Sequence, residues 1–160
     1  MLTIENVHKT FFAGTANEKV ALRGVNLTLN DGDFVTVIGS NGAGKSTLLN
    51  SIAGVFPVDE GHILIDEVDV TKMPEHQRAK FIGRVFQDPM KGTAGGMMIL
   101  ENLAMAKRRG LCPGLSWSEK KAETEEFREL VAQLGLGLEN RLTAHVGLLS
   151  GGQRQAITLL

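Results

Sequence analysis

Residues 39–46, Gly-Ser-Asn-Gly-Ala-Gly-Lys-Ser, restrict the possible folds of this chain more than any other stretch. The five residues before them (34–38, FVTVI) are almost continuously apolar and β-branched, the pattern of a strand covered on both faces. After them Leu48, Leu49 and Ile52 recur before Gly54, which predicts a helix over 46–53 with those three on one side and glycine as its stop. A strand that turns through glycine into a helix aims free backbone N–H groups, and the positive end of the helix dipole, at one point. The loop itself follows G-x-x-x-x-G-K-[ST], in which the backbone wraps a phosphate chain. Gly39 turns the chain out of the strand, and Gly42 and Gly44 remove side chains where the backbone must approach closely. Lys45 brings a point charge to the β/γ oxygens and the Ser46 hydroxyl can ligate Mg²⁺. Ser40, Asn41, Ala43 and Thr47 complete the cradle. A glycine-rich turn that binds nothing is the competing reading, and a Lys-Ser pair is a poor choice for a mere turn.

Around this loop the first third reads as strands. Residues 2–4 are strand-like, and Val25, Leu27 and Leu29 alternate with Asn26, Thr28 and Asn30, the period of a half-buried strand. Asp31-Gly32 then predicts a tight turn into a second strand at 33–38, paired antiparallel with the first. Residues 62–66 and 83–86 are further strand candidates, the latter in the core, and Met73-Pro74 opens a short helix. Beyond residue 90 the pattern becomes helical. Ser116-Trp117-Ser118-Glu119 has the spacing of a capping box, and Phe127, Leu130, Val131 and Leu134 recur at helical spacing before Gly135. The basic run Lys107-Arg108-Arg109 reads as a solvated helix end, where cations oppose the negative pole of the dipole.

Composition narrows the partners. With 160 residues, 42% hydrophobic content and a formal net charge of -1, the chain suits one compact domain and has no global basic field to gather nucleic acid. Phosphate binding must therefore be local. No apolar run approaches the roughly 18 residues that span a bilayer. The single cysteine, Cys112, cannot form an internal disulfide, which makes a reducing cytosol the expected setting.

A second anion-seeking feature closes the chain. In Leu149-Ser150-Gly151-Gly152-Gln153, Ser150 is a good helix N-cap and the two glycines leave bare N–H groups at the helix start. If each of the two helix ends sits on its own subdomain, one triphosphate cannot easily use both.

The ordered set of a Walker A loop at 39–46, Gln87 within Val85-Phe86-Gln87-Asp88-Pro89, and LSGGQ followed by Arg154-Gln155 resembles the nucleotide-binding subunit of ABC transporters over residues 1–160. The resemblance implies an α/β P-loop NTPase core with an N-terminal antiparallel β subdomain and an inserted helical subdomain, incomplete at the C-terminus. It places the β subdomain and P-loop core at about 1–89, the helical subdomain at 90–149 and the start of the signature helix at 150–160. It implies ATP and Mg²⁺ as cofactors, with Lys45, Gln87 and Ser150 in catalytic roles and Ser46 and Gln87 near the metal. Phe11 would stack on adenine, with Phe12 as the alternative and core packing as the competing reading for either ring. Ser150, Gly151, Gly152 and Gln153 would act in trans, on ATP held by a second nucleotide-binding subunit in a head-to-tail dimer. Transmembrane transporter subunits would be the other partners, at the inner face of the cell membrane.

The family's Walker B aspartate, following glutamate and switch histidine are not found in these residues; His8, His62, His76 and His145 do not match the switch position. Two functions follow as expectations: an ATPase subunit that couples ATP binding and hydrolysis to solute transport, or a nucleotide-binding module without hydrolysis. The gene is expected to continue past Leu160. A chain ending there is expected to leave a core strand unpaired and to aggregate, swap or partly disorder.

Overall fold

Period-two patterning at the N-terminus builds an antiparallel ladder. The computed structural model describes residues 1–86, 88–109 and 121–160; Gln87, Cys112 and the predicted capping box of Ser116 and Glu119 lie outside the described residues. β1 (Leu2–Phe11) pairs on one side with β2 (Lys19–Leu29), Leu2 opposite Leu29 and Ile4 opposite Leu27. On its other side it pairs with β3 (Glu60–Ile65), which turns back into the two-residue β4 (Val68–Asp69), giving the order β2-β1-β3-β4. Asp66 and Glu67, with φ of 47° and 66°, make the β3–β4 hairpin turn, the left-handed pair that matches the twist of adjoining strands. The sheet buries Ile4, Val7, Leu22, Ile63 and Ile65 together with Val70.

The chain divides into two compact units, Met1–Ile82 and Gly83–Leu160. In the first, α1 (Lys45–Ala53) ends at Gly54 in a left-handed cap (φ 81°) whose N–H donates to the Asn50 and Ser51 carbonyls. Leu48 and Ile52, one turn apart, pack on the sheet core. Leu49, expected beside them, is instead 55% exposed, because it lies about 100° further round the helix. The short α2 (Glu75–Arg78) follows Pro74, which is its N-cap.

Two predicted strands are absent. Residues 33–38 form no strand, and β2 pairs with β1 rather than with them. Phe34 is 95% and Ile38 88% exposed. Residues 83–86 likewise form none. An apolar β-branched run reports a preference for burial on both faces, but a ladder needs a neighbour; among the described residues neither segment has a strand partner.

The second unit is helical. α3 (Ile99–Lys107), α4 (Lys121–Ala132) and α5 (Gly151–Leu159) enclose Ile99, Leu103, Phe127, Val131, Val146 and Ile157. Phe127 and Val131 of the predicted stripe are fully in the core, and Leu130 and Leu134 pack at its edge. The basic run is more engaged than a solvated end. Lys107 meets Glu126 at 2.5 Å and Arg108 meets Glu123 at 3.1 Å, joining α3 to α4. No helix among the described residues is long and apolar enough to cross a membrane.

Candidate functional site

The glycine-rich loop takes the shape its glycines permit. Gly42 and Gly44 have φ of 83° and 87°, a region that side chains other than glycine enter at a cost. Gly44 is also pressed against the sheet, where a Cβ would lie 2.5 Å from the Ala21 carbonyl oxygen. The Ala43 N–H donates to Ser40 O at 3.2 Å, closing the turn. Gly44 is the N-cap of α1 and no side chain caps that end, so the first-turn N–H groups remain available to an anion. Lys45 folds back over the loop, its Nζ donating to Gly39 O at 2.6 Å and Ser40 O at 2.8 Å. The ammonium thus stands across the mouth of the nest that the backbone makes.

A cavity of about 250 Å³ opens there, lined by Phe11, Lys19, Asn41, Gly42, Lys45, Ser46 and neighbouring loop residues. Phe11 is on its wall; Phe12 is not among the lining residues and is 70% exposed at φ 54°. Phe11 packs edge-on against Phe56, with centroids 5.3 Å apart, and Lys9 Nζ lies 5.7 Å from its ring. Asp59 anchors this strand end, accepting from Lys9 Nζ at 2.7 Å and from the Thr10 N–H. Partial burial opposes ionisation of Asp59, but the hydrogen bonds from Lys9 and Thr10 outweigh it and hold the carboxyl below its usual range.

The opposite end of α1 is held by a residue whose role was not legible beforehand. Arg78, 2% exposed, donates from Nη1 to Ser51 O (2.7 Å) and Ile52 O (2.9 Å), from Nη2 to Thr71 O (2.8 Å), and from Nε to Met73 O (2.7 Å). Its guanidinium satisfies carbonyls at the negative end of the helix whose positive end makes the nest. The available signal was Arg78 in helical register with Phe81 and Ile82, a cation placed where an apolar side chain is usual.

In the second unit, the helix predicted at Ser150 begins there. Ser150 Oγ accepts from the Gln153 N–H at 3.3 Å while Gln153 Oε1 accepts from the Ser150 N–H at 3.2 Å, a reciprocal capping box. Nothing lies within 4 Å of where a Cβ on Gly151 or Gly152 would be, so their backbone is open to approach. Arg154, one residue on, is 7% exposed and reaches back beneath the turn. Its Nε donates to Val146 O at 3.2 Å and its Nη2 to Gly147 O at 2.9 Å, with a longer contact to Leu149 O at 3.4 Å. Helical spacing from Arg154 to the buried Ile157 was the sequence signal for that inward orientation.

Residues 22–160 match the family described as ABC transporter. The chain belongs to the ABC transporter family. A tyrosine transport ATP-binding protein of Clostridioides difficile is 37% identical over 160 residues, which are all of this chain and 63% of that protein. A lipoprotein-releasing system ATP-binding protein, LolD of Ruegeria, is 35% identical across 98% of this chain and 66% of its own length. Among solved structures, a dimeric ATP-binding cassette in a post-hydrolysis state bound to ADP and Pi superposes with a TM-score of 0.77 at 28% identity. It is matched over 99% of this chain and 67% of its own. The chain therefore spans just under two thirds of the length of these two relatives, and as little as 22% of others that it matches.

The P-loop NTPase fold expected from the motifs is shared with these ABC cassettes. Of the residues expected to act, Phe11, residues 39–44, Lys45, Ser46 and Thr47 converge on one cavity or its rim. Ser150, Gly151, Gly152 and Gln153 converge on the first turn of α5. Gln87, the other expected metal contact, lies outside the described residues. Among the described residues no group of three His, Cys, Asp or Glu side chains could hold a metal ion.

Proposed function

We propose that this chain is the ATP-binding part of an ABC transporter ATPase, whose ATP binding and hydrolysis drive solute transport through separate membrane subunits. The observation that carries the reading is the nest at 39–46: two left-handed glycines, an uncapped helix N-terminus and a lysine folded over the loop. These groups fit a nucleoside triphosphate. The backbone N–H groups of the loop and first turn of α1 would hold its β- and γ-phosphates, with Lys45 turning from the Gly39 and Ser40 carbonyls to the phosphate oxygens. Ser46 would hold Mg²⁺, with Gln87 as the second contact. A Mg²⁺ ion held there would neutralise charge developing on the phosphates. Phe11, on the cavity wall, would receive the adenine.

The first turn of α5 would serve a different nucleotide, held by a second subunit. Its open glycines and the capping Ser150 make a donor-rich surface suited to a γ-phosphate. The related cassette is dimeric with ADP and Pi bound, which supports this arrangement. Relatives named for tyrosine transport and for lipoprotein release carry the same ATP-binding designation. That supports assigning cargo choice to the membrane subunits and placing the ATP-binding part at the inner face of the membrane.

Calorimetric titration with Mg²⁺-ATP tests the carrying observation. The expected result is one site per chain, with affinity reduced at least tenfold in Lys45→Ala through loss of a charge-assisted contact. Equal affinity in both proteins would reject the nest as the nucleotide site.

A further inference from the structure

Arg154 presents an electrostatic problem whose solution points to a role. It is an arginine, 7% exposed, in the first turn of a helix, where a cation opposes the helix dipole and so disfavours the helix. Among the described residues it has no carboxylate ion-pair partner; the acceptors of its hydrogen bonds are neutral backbone carbonyls, of Val146, Gly147 and Leu149. A buried charge with this arrangement is costly unless its geometry serves something else.

The carbonyls it holds explain what that is. Val146, Gly147 and Leu149 precede the signature turn, and Leu149 is bonded directly to Ser150. Each carbonyl drawn under the turn toward the guanidinium is a negative dipole end removed from the face where Gly151 and Gly152 offer N–H groups beside the Ser150 hydroxyl. The same loop is pinned from its other side: the Gly147 N–H donates to Gly95 O at 2.8 Å and the Val146 N–H to Met97 O at 3.0 Å. A Cβ on Gly147 would stand 2.8 Å from Gly95 O. Arg154 is thus the inner half of a clamp, and its positive charge adds to the field of the helix end instead of being cancelled by an acidic neighbour.

From this juxtaposition we infer that Arg154 is a positioning residue for trans recognition of the γ-phosphate: its planar fork turns the carbonyls of 146, 147 and 149 inward, so the signature turn presents only donors to the partner's nucleotide. The inference rests on the proposed function, in which that turn meets ATP held by a second subunit. A lysine keeps the charge but cannot donate in a planar fork, so geometry and charge are separable.

The test uses the polypeptide as its gene encodes it, with four proteins: unaltered, Arg154→Lys, Arg154→Gln and Ser150→Ala. The dimer dissociation constant is measured by sedimentation in saturating Mg²⁺-ATPγS at a temperature where all four are folded by circular dichroism. ATPγS affinity of the monomer is measured in parallel at concentrations below dimerisation. The expected result is at least tenfold weaker dimers for both Arg154 variants with monomer affinity unchanged within about twofold. A lower thermal midpoint with an unaltered dimer constant in Arg154→Gln would reduce Arg154 to a structural part and overturn the inference. Should Arg154→Gln fail to fold, the same comparison on Arg154→Lys decides. Loss of dimers in Ser150→Ala alone would also overturn it, leaving the proposed function standing. Dimers unaffected in all three variants would instead remove the trans reading on which it rests.

Discussion

Gly44 shows how a single residue commits the chain to binding. Its φ of 87° and the 2.5 Å gap between a would-be Cβ and Ala21 O exclude a side chain twice over, once by backbone strain and once by collision with β2. Gly32 has nearly the same φ, 86°, but nothing within 4 Å of a would-be Cβ. Gly32→Ala should therefore cost only the strain, about 1 kcal/mol, and leave nucleotide affinity alone. Gly44→Ala should cost more, about 2–4 kcal/mol, and weaken nucleotide binding because the first turn of α1 must shift. Denaturant unfolding and ATP titration of the two variants check this; equal losses in both would remove the close approach from the account. The loop was legible in sequence because a phosphate nest requires particular residues at particular positions. The holding roles of Arg78 and Arg154 were not, although Arg154 follows the LSGGQ motif directly, because their partners are backbone carbonyls, which any residue supplies.

The elements differ in what holds them. α1 has only nine residues, too few for a helix to persist on its own, and both its ends are specialised. The N-terminus is left uncapped for a ligand, while the C-terminus is closed by the left-handed Gly54 and the Arg78 guanidinium. Arg78→Met should leave four carbonyls without that donor and destabilise the first unit by about 2–4 kcal/mol, with Arg78→Lys falling between. A thermal midpoint in Arg78→Met within a degree of the unaltered protein would contradict the capping role. Legibility at this scale followed the source of the signal. The start of β1, the end of β2, α1 and the start of α5 were readable because alternation, glycine stops and a serine cap act locally. Residues 34–38 and 83–86 were misread because their apolar runs describe a demand for neighbours, and among the described residues none pairs with them.

On the scale of the whole molecule, the two anion-seeking helix ends belong to different compact units, α1 to Met1–Ile82 and α5 to Gly83–Leu160. Phe34 and Ile38 add exposed apolar surface to the first unit, and Val85 to the second. Fold class and family were legible because three ordered motifs constrain one topology; a division of labour between subunits is not a property of one chain, and came into the reading through resemblance alone. In the proposed function each ATP is completed by two copies, with the nest from one and the signature turn from the other. Mixing Lys45→Ala with Ser150→Ala, each in the polypeptide as its gene encodes it, tests this most directly. A mixed dimer has one composite site with both defects and one with neither. Each variant alone should be nearly inactive in Mg²⁺-ATP turnover, while the equimolar mixture should recover activity. A mixture as inactive as its two components would contradict it.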